Sequence, residues 1–400
     1  MINNTINTLV LATVDSITKF KNKLAYYLAI FAMVFGSTFG TFNAANAGDV
    51  SIEATSSISA ENITDLLDAA NGTLDIDGTV VATLSLDVGA DGTTGIVLGD
   101  ADAVEVVTLK VVAVDSALTI APTIKTLNAK QVATLQVQDS TADVEGDLVT
   151  FSGVIGGGAE NIIDTIQIGD ADEVSGNAKF TADVKATAIS VEGGDAGENS
   201  TVDFANTVAG GITLDDVAEK GNAKVVFSGA TRTIAATVTA ETDGDGTVQV
   251  TGTGLTLNGA IGATGIGTLD IDATAAMTAI ADAKVVDIAT GQTFTIDDDF
   301  TGDVTTLNGT GGITFSTDAG GADTTAIAAV IDGATDGDGT LTYTNTGQST
   351  QTGNVGATTG IGTIAVGASG LIDVVGEVDT QNLTVAAGGV ISFDRAATHD

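Results

Sequence analysis

The chain has 400 residues and carries 52 acidic against 13 basic side chains, a formal net charge of −39 at pH 7. This balance argues against nucleic acid as a partner, because binding it requires Lys and Arg to neutralise phosphates, and it makes divalent cations the natural partners. Hydrophobic residues make up 43% of the chain. A disordered acidic chain lacks that apolar content, so the composition predicts a folded protein.

Residues 1–47 have the order of features that is typical of a secretory signal peptide. Three lysines up to Lys23 form a basic region, residues 24–35 are apolar, and an Ala-Asn-Ala sequence ends at Ala47. We expect cleavage after Ala47 and secretion to the cell surface or outer envelope. An uncleaved membrane anchor is the alternative, because residues 24–42 are mostly apolar.

Residues 48–72 are predicted to be an N-terminal segment that contains a short capping helix. Ser59 is placed to cap a helix over residues 59–70, and Gly72 follows its end. Such a helix would cover the open end of a repeat core, although a linker turn explains the segment equally well.

A six-residue phrase of alternating apolar and polar residues recurs along the rest of the chain. Its copies are residues 106–111 (VVTLKV), 132–137 (VATLQV), 163–168 (IDTIQI), 266–271 (IGTLDI) and 361–366 (IGTIAV), with a looser copy at 81–86 (VATLSL). The alternation lets one face of an extended strand be buried while the other faces water. The early copies lie 25, 26 and 31 positions apart, counted between Thr83, Thr108, Thr134 and Thr165. Spacings of that size are typical of stacked repeats.

Residues 73–400 are therefore predicted to be all-β and to form a β-strand-repeat solenoid of the parallel β-helix type. A row of antiparallel β-sandwich domains is the alternative, because the abundant Asn-Gly and Asp-Gly pairs suit hairpins as well as the corners of a coil. In the solenoid, one residue of each phrase should point inward at an equivalent place on different coils. These residues are Leu109, Leu135, Ile166, Leu269 and Ile364.

A longer repeat overlies the short one in the C-terminal half. Residues 242–247 (TDGDGT) recur as residues 335–340, 93 positions later, and each copy is followed by an Ile-Gly-Thr phrase. This pattern predicts a duplicated block, around residues 210–309 and 311–393. Duplication within a stack is easily accommodated, since each repeat contacts only its neighbours.

The acidic turns are the candidate metal sites. In the two copies of the Asp-Gly-Asp-Gly turn, Asp243 with Asp245, and Asp336 with Asp338, are placed to share one calcium ion through their carboxylates and nearby backbone carbonyls. Residues two apart in an extended turn project to the same side, which is the reason for pairing them. The alternative is that these turns are solvated corners. Further acidic turns contain Asp100, Asp102, Asp170, Asp172, Asp297, Asp298 and Asp299.

Catalysis is not predicted. The chain has no Cys, and its single His is His399, which leaves no basis for a His-based triad or a Cys-ligated zinc site. The alternative function is a β-helical carbohydrate-active enzyme that uses paired carboxylates.

Two short phrases carry a resemblance to a known family. Residues 257–262 (LNGAIG) and 352–356 (TGNVG), each followed by Ile-Gly-Thr, resemble the β-strand-repeat surface proteins of Gram-negative bacteria, of the S-layer and autotransporter-passenger type, such as the passenger region of rickettsial outer-membrane protein B. The likeness covers residues 240–370 best. It implies a secreted, rigid, non-catalytic protein that self-associates into a layer or fibre, or acts as an adhesin in contact with the envelope or a host surface. Autotransporters end in a membrane β-barrel of roughly ten-residue alternating strands; the residues after 300 do not follow that pattern, so the resemblance leaves the means of anchoring open.

Overall fold

The computed structural model describes the part of the chain that carries the repeats. The described residues are 50–53, 73–78, 83–84, 96–98, 106–113, 118–121, 123–126, 132–139, 148–158, 162–170, 174–194, 198–216, 221–316 and 325–394. The predicted signal peptide and the predicted helix over residues 59–70 lie outside them. Within these ranges there is no helix long and apolar enough to span a membrane.

The described elements are β-strands. In chain order they are β1 (Val50–Glu53), β2 (Thr73–Gly78), β3 (Thr83–Leu84), β4 (Ile96–Leu98), β5 (Val106–Ala113), β6 (Leu118–Ile120), β7 (Ile124–Thr126), β8 (Val132–Asp139), β9 (Leu148–Phe151), β10 (Ile163–Ile168), β11 (Asn177–Phe180), β12 (Val184–Glu192), β13 (Ser200–Phe204), β14 (Val208–Asp215), β15 (Ala223–Phe227), β16 (Thr233–Ile234), β17 (Thr237–Ala240), β18 (Asp245–Val250), β19 (Leu255–Leu257), β20 (Ile261–Ile271), β21 (Ala275–Met277), β22 (Ala281–Ile288), β23 (Thr293–Ile296), β24 (Phe300–Leu307), β25 (Gly312–Phe315), β26 (Ala326–Ile327), β27 (Val330–Gly333), β28 (Asp338–Tyr343), β29 (Gln348–Gln351), β30 (Ile361–Val366), β31 (Leu371–Val374), β32 (Thr380–Val385) and β33 (Val390–Phe393).

Most of these strands form three parallel ladders, which the chain visits in turn from β16 onward; β4 and β7 pair separately. The first ladder contains β5, β8, β10, β12, β14 and β17, and continues through the start of β20 to β33. The second runs from β9 through β11, β13, β15 and β18 into the ends of β20, β22 and β24. The third runs from β16 to β32. Every pairing between named strands in the described residues is parallel, so the fold is a β-solenoid and the alternative of antiparallel sandwiches is wrong.

One column of residues on the first ladder shows how continuous the stack is. Its members from β8 onward are Leu135, Ile166, Ile189, Ile212, Val238, Ile261, Ala281, Phe300, Ile327, Gln351, Val374 and Phe393. They define about 11 turns, each of 19 to 31 residues. Neighbouring strands lie about 4.8 Å apart, so this part of the solenoid is a rod roughly 50 Å long.

The core lies inside the coil because side chains alternate along each strand. The burial of β18, for example, alternates between half-buried outward and buried inward positions. On the second ladder, a column of buried rings consists of Phe151, Phe180, Phe204 and Phe227, whose centroids are 4.9, 5.3 and 6.2 Å apart in that order. The stacked rings fill the same corner of four successive coils and fix their register against one another.

The recurring phrase encodes an inward-facing strand, but not which side of the coil the strand occupies. Leu109, Leu135, Ile166, Leu269 and Ile364 are all buried, as predicted. The first three are register partners on the first ladder. Leu269 lies on the second ladder and Ile364 on the third, so the expectation of equivalent places was wrong for these two. The phrase specifies a local alternation, whereas the side is set by the lengths of the intervening corners.

The two copies of the Asp-Gly-Asp-Gly turn keep the same local register but sit on different sides. Asp245 is the partner of Ile266 on the second ladder, and Asp338 is the partner of Ile361 on the third. The repeated unit is therefore a turn and the strand that follows it, displaced by one side around the coil.

Candidate functional site: the two Asp-Gly-Asp-Gly corners

Each corner is a tight turn closed by a backbone hydrogen bond. The N–H of Asp245 donates to the carbonyl oxygen of Thr242 at 3.0 Å, and Asp338 donates to Thr335 at 2.9 Å. The third residues of the two turns, Gly244 and Gly337, have φ of +98° and +92°. A turn with positive φ at that position favours glycine, which explains why the phrase needs Gly after its first Asp.

The second Asp of each copy is used inside its own turn. The Thr242 N–H donates to Asp245 Oδ2 at 3.1 Å. In the other copy, the Thr335 N–H and hydroxyl donate to Asp338 Oδ2 at 3.0 and 2.7 Å. The hydrogen bond from the Thr335 hydroxyl is the main reason that the pKa of Asp338 is lowered from its usual value. These two carboxylates stabilise the corner whether or not a metal binds.

The first Asp of each copy instead faces a carboxylate from a later coil. A Cβ placed on Gly265 would lie 2.6 Å from Asp243 Oδ1 and 3.5 Å from Asp282 Oδ1, so the two carboxylates flank this glycine. Burial, followed by the charge of Asp243, raises the pKa of Asp282. Only glycine leaves room between the two side chains.

The second copy repeats this arrangement. A Cβ on Gly360 would lie 2.7 Å from Asp336 Oδ1 and 3.3 Å from Asp379 Oδ2. The structure thus brings together Asp243 with Asp282 and Asp336 with Asp379, whereas the sequence paired residues two apart. No local pattern marks Asp282 or Asp379, because each is more than one coil away from its partner; the signal available in the sequence was the longer repeat alone.

A lysine at the first corner is replaced by a glutamine at the second, which changes the charge. Lys284 Nζ donates to the carbonyl oxygen of Asp243 at 2.7 Å and lies 3.7 Å from Asp243 Oδ2. A Cβ on Gly244 would be 2.0 Å from that Nζ, and a Cβ on Gly337 would be 2.3 Å from the amide nitrogen of Gln381, which occupies the corresponding place. The first corner therefore contains its own cation and the second presents two carboxylates with a neutral amide.

Each corner offers two carboxylates rather than a full metal cage. In the described residues there is no group of three or more His, Cys, Asp or Glu placed to hold a metal ion. Calcium takes six to eight oxygen ligands, so most of them at these corners would be backbone carbonyls and water.

Other acidic positions serve the coil corners. Asp298 Oδ1 accepts from the Asp299 N–H at 2.8 Å, and Asp299 Oδ1 accepts from the Ala326 N–H at 2.7 Å.

On the first ladder, Glu192 and Asp215 are register partners. Burial and the nearby carboxylates, that of Glu241 first, raise the pKa of Asp215 to about 6.

A polar groove of about 610 Å³ lies on the outer face of the second ladder. Its lining residues are Leu148, Asn177, Ala178, Lys179, Asn199, Thr201, Asp203, Asn222, Lys224 and Thr247. Asp203 is the one carboxylate in this lining, and Lys179 Nζ contacts its Oδ2 at 2.7 Å. The groove therefore lacks the pair of carboxylates on which glycoside hydrolysis depends.

Comparison with known proteins adds no assignment. No family model, no curated protein and no solved structure matches the chain.

Proposed function

We propose that this chain is a secreted, non-catalytic structural protein of the cell surface that self-associates into a layer or fibre. The observation that carries the proposal is the unbroken column from Leu135 to Phe393, which makes the described coils one continuous rod. In a solenoid each coil contacts only its neighbours, so such a rod gains length without a larger core. A long and rigid rod of this kind suits a structural role at the cell surface.

Charge gives the rod a means of controlled assembly. A net charge of −39 makes adjacent copies repel one another. Divalent cations reduce that repulsion, and we place the calcium response at the second corner, formed by Asp336 and Asp379. At the first corner, formed by Asp243 and Asp282, Lys284 already lies against Asp243 and partly offsets the negative charge.

The alternative of a carbohydrate-active enzyme is supported by no observation of comparable weight. The polar groove contains one carboxylate, and it is paired with Lys179. Close carboxylates lie instead at the two corners, where each pair flanks a glycine, and on the first ladder, where Glu192 and Glu241 lie near Asp215.

The proposal is tested by calcium titration of the purified chain, with calorimetry for binding and electron microscopy for assembly. We expect saturable binding and ordered arrays at millimolar calcium. Asp336→Asn with Asp379→Asn should abolish the response, while Asp243→Asn with Asp282→Asn should leave it unchanged.

A charge swap gives the matched control. Gln381→Lys should weaken calcium binding at the second corner, and Lys284→Gln should add binding at the first. A chain that binds calcium without assembling would contradict the structural role; a chain that assembles without calcium would contradict only the cation-dependent step. Surface labelling of intact cells tests the location, and an interior pool alone would be the contrary result.

A further inference from the structure

The outer face of the third ladder is a regular array of threonine side chains. One column along it consists of Thr233, Thr256, Ala276, Thr295, Thr314, Thr342, Ala365 and Thr384. The neighbouring column, two residues earlier in each strand, consists of Thr293, Gly312, Thr340, Thr363 and Asn382. We call these two columns the threonine face. No register shift interrupts its eight strands, so their side chains stay aligned along the rod.

The threonine face is uncharged and its hydroxyl groups are available. Neither column contains an acidic or basic residue, in a chain that carries 52 acids. Within the described residues, most of its threonine hydroxyls make no hydrogen bond to the protein; these are Thr233, Thr256, Thr293, Thr295, Thr314, Thr340, Thr342 and Thr363. A partner of this face must therefore be neutral and rich in hydrogen-bonding groups.

The spacing of the array further limits the kinds of partner that could bind to this face. Adjacent strands place equivalent threonines about 4.8 Å apart along the rod, and residues two apart in a strand are about 6.6 Å apart across it. Threonine is stiff at χ1, so each hydroxyl and methyl is held in a narrow range of directions. Both spacings are close to the repeats of water oxygens on the prism face of hexagonal ice. A periodic surface of this kind matches a crystal lattice better than a single molecule.

We propose that the threonine face binds ice. The hydroxyls hold first-layer water molecules near lattice positions, and the methyl groups between them limit other hydrogen-bonding arrangements. Ordered waters that bridge two surfaces are nearly as favourable as direct hydrogen bonds. Water held in this way joins the growing ice layer and fixes the rod to it. The inference is independent of the structural role proposed above: the second corner opens a strand of the same ladder, but neither threonine column contains one of its carboxylates.

The composition of the face argues against a protein or a carbohydrate as its partner. Protein interfaces concentrate their binding energy in Trp, Tyr and Arg anchors, whereas the aromatic side chains of these strands, Phe294, Phe315 and Tyr343, are buried inside the coil. Stacking on sugar rings would need the same exposed aromatics. Threonine, alanine and glycine leave ordered water as the ligand that the face can contact over its whole length.

The test is thermal hysteresis and inhibition of ice recrystallisation, measured on the purified full chain. Wild type should separate the melting and freezing points of a seeded ice crystal. Thr295→Tyr and Thr342→Tyr place a bulky ring in the middle of the face and should abolish that separation. Thr306→Tyr is the matched control, because Thr306 is a half-buried outward threonine on the second ladder; it should retain wild-type activity.

The remaining outcomes either overturn the proposal or separate it from the structural role. Wild type without hysteresis or recrystallisation inhibition refutes it directly. Equal loss in Thr306→Tyr shows that the effect does not belong to this face, provided that circular dichroism shows all variants folded. An oligomer that the Thr295→Tyr variant loses, with no ice activity in wild type, identifies the face as a contact between copies instead. A wild type that arrests ice but does not assemble with calcium supports this inference while contradicting the structural role.

Discussion

Removing one ring from the phenylalanine column tests how the solenoid is stabilised. Phe204 is 1% exposed and stacks between Phe180, with ring centroids 5.3 Å apart, and Phe227, with centroids 6.2 Å apart. Phe204→Ala therefore deletes a fully buried ring together with both stacking contacts. The coils above and below are hydrogen-bonded to its own strand, so they have little freedom to close the cavity.

The expected loss of stability is about 3–5 kcal/mol, the usual cost of truncating a buried phenylalanine to alanine. About 1 kcal/mol of it comes from each lost stacked pair. Thr201→Ala is the control, because Thr201 lies on the same strand but faces outward; its effect should stay within about 0.5 kcal/mol.

Urea unfolding followed by circular dichroism measures the difference, and hydrogen exchange locates it. Because stability in a solenoid is a sum of local terms, exchange should accelerate in β11, β13 and β15 and remain slow in β28 and β30. Equal urea midpoints for unfolding of Phe204→Ala and Thr201→Ala would refute the inward placement of the phenylalanine column. Uniform acceleration along the whole chain would refute the local coupling between coils.

Three further changes test the register, the corners and the acid ladder. Leu135→Asp should cost several kcal/mol, because it buries an unpaired charge, whereas Gln136→Asp on the outer face should cost little; equal melting temperatures would contradict the register. Gly246→Ala should lower stability by about 1–2 kcal/mol, because Gly246 has φ of +76° and a Cβ there would lie 2.5 Å from a buried leucine; Gly158→Ala, where the added carbon meets nothing within 4 Å, should be neutral in the same melting assay. The raised pKa of Asp215, about 6 against an ordinary 3.8, means that the folded state holds its proton more tightly than the unfolded state, so its contribution to stability is full below about pH 4 and lost as the pH rises through 6. Asp215→Asn should flatten that part of the pH–stability curve and stabilise the chain at pH 7 by about 1 kcal/mol after screening of this half-buried group; an unchanged curve would contradict the prediction.

Properties that depend on neighbours in the sequence could be predicted from the sequence. The alternation of residues 132–137 identifies an inward Leu135 because side chains point to opposite faces at every step of a strand. The Gly after Asp243 marks a corner because few other residues tolerate the positive φ that the turn needs. The spacing of the phrases is likewise visible without a structure, and it favoured the β-solenoid while leaving a row of antiparallel sandwich domains as the alternative.

The tertiary structure alone decided which residues from different coils meet. Because the turns of the coil vary from 19 to 31 residues, copies of the six-residue phrase lie on different sides of the coil. Leu269 and Ile364 therefore do not lie on the ladder of Leu135. The same irregularity hid the placement of Asp336 and Asp379 on either side of Gly360. It also hid the threonine face, whose neighbouring members Thr295, Thr314 and Thr342 are separated by 19 and then 28 residues. The physical reason is that strand alternation is fixed by local backbone geometry, whereas position around the coil depends on the summed lengths of every corner before it.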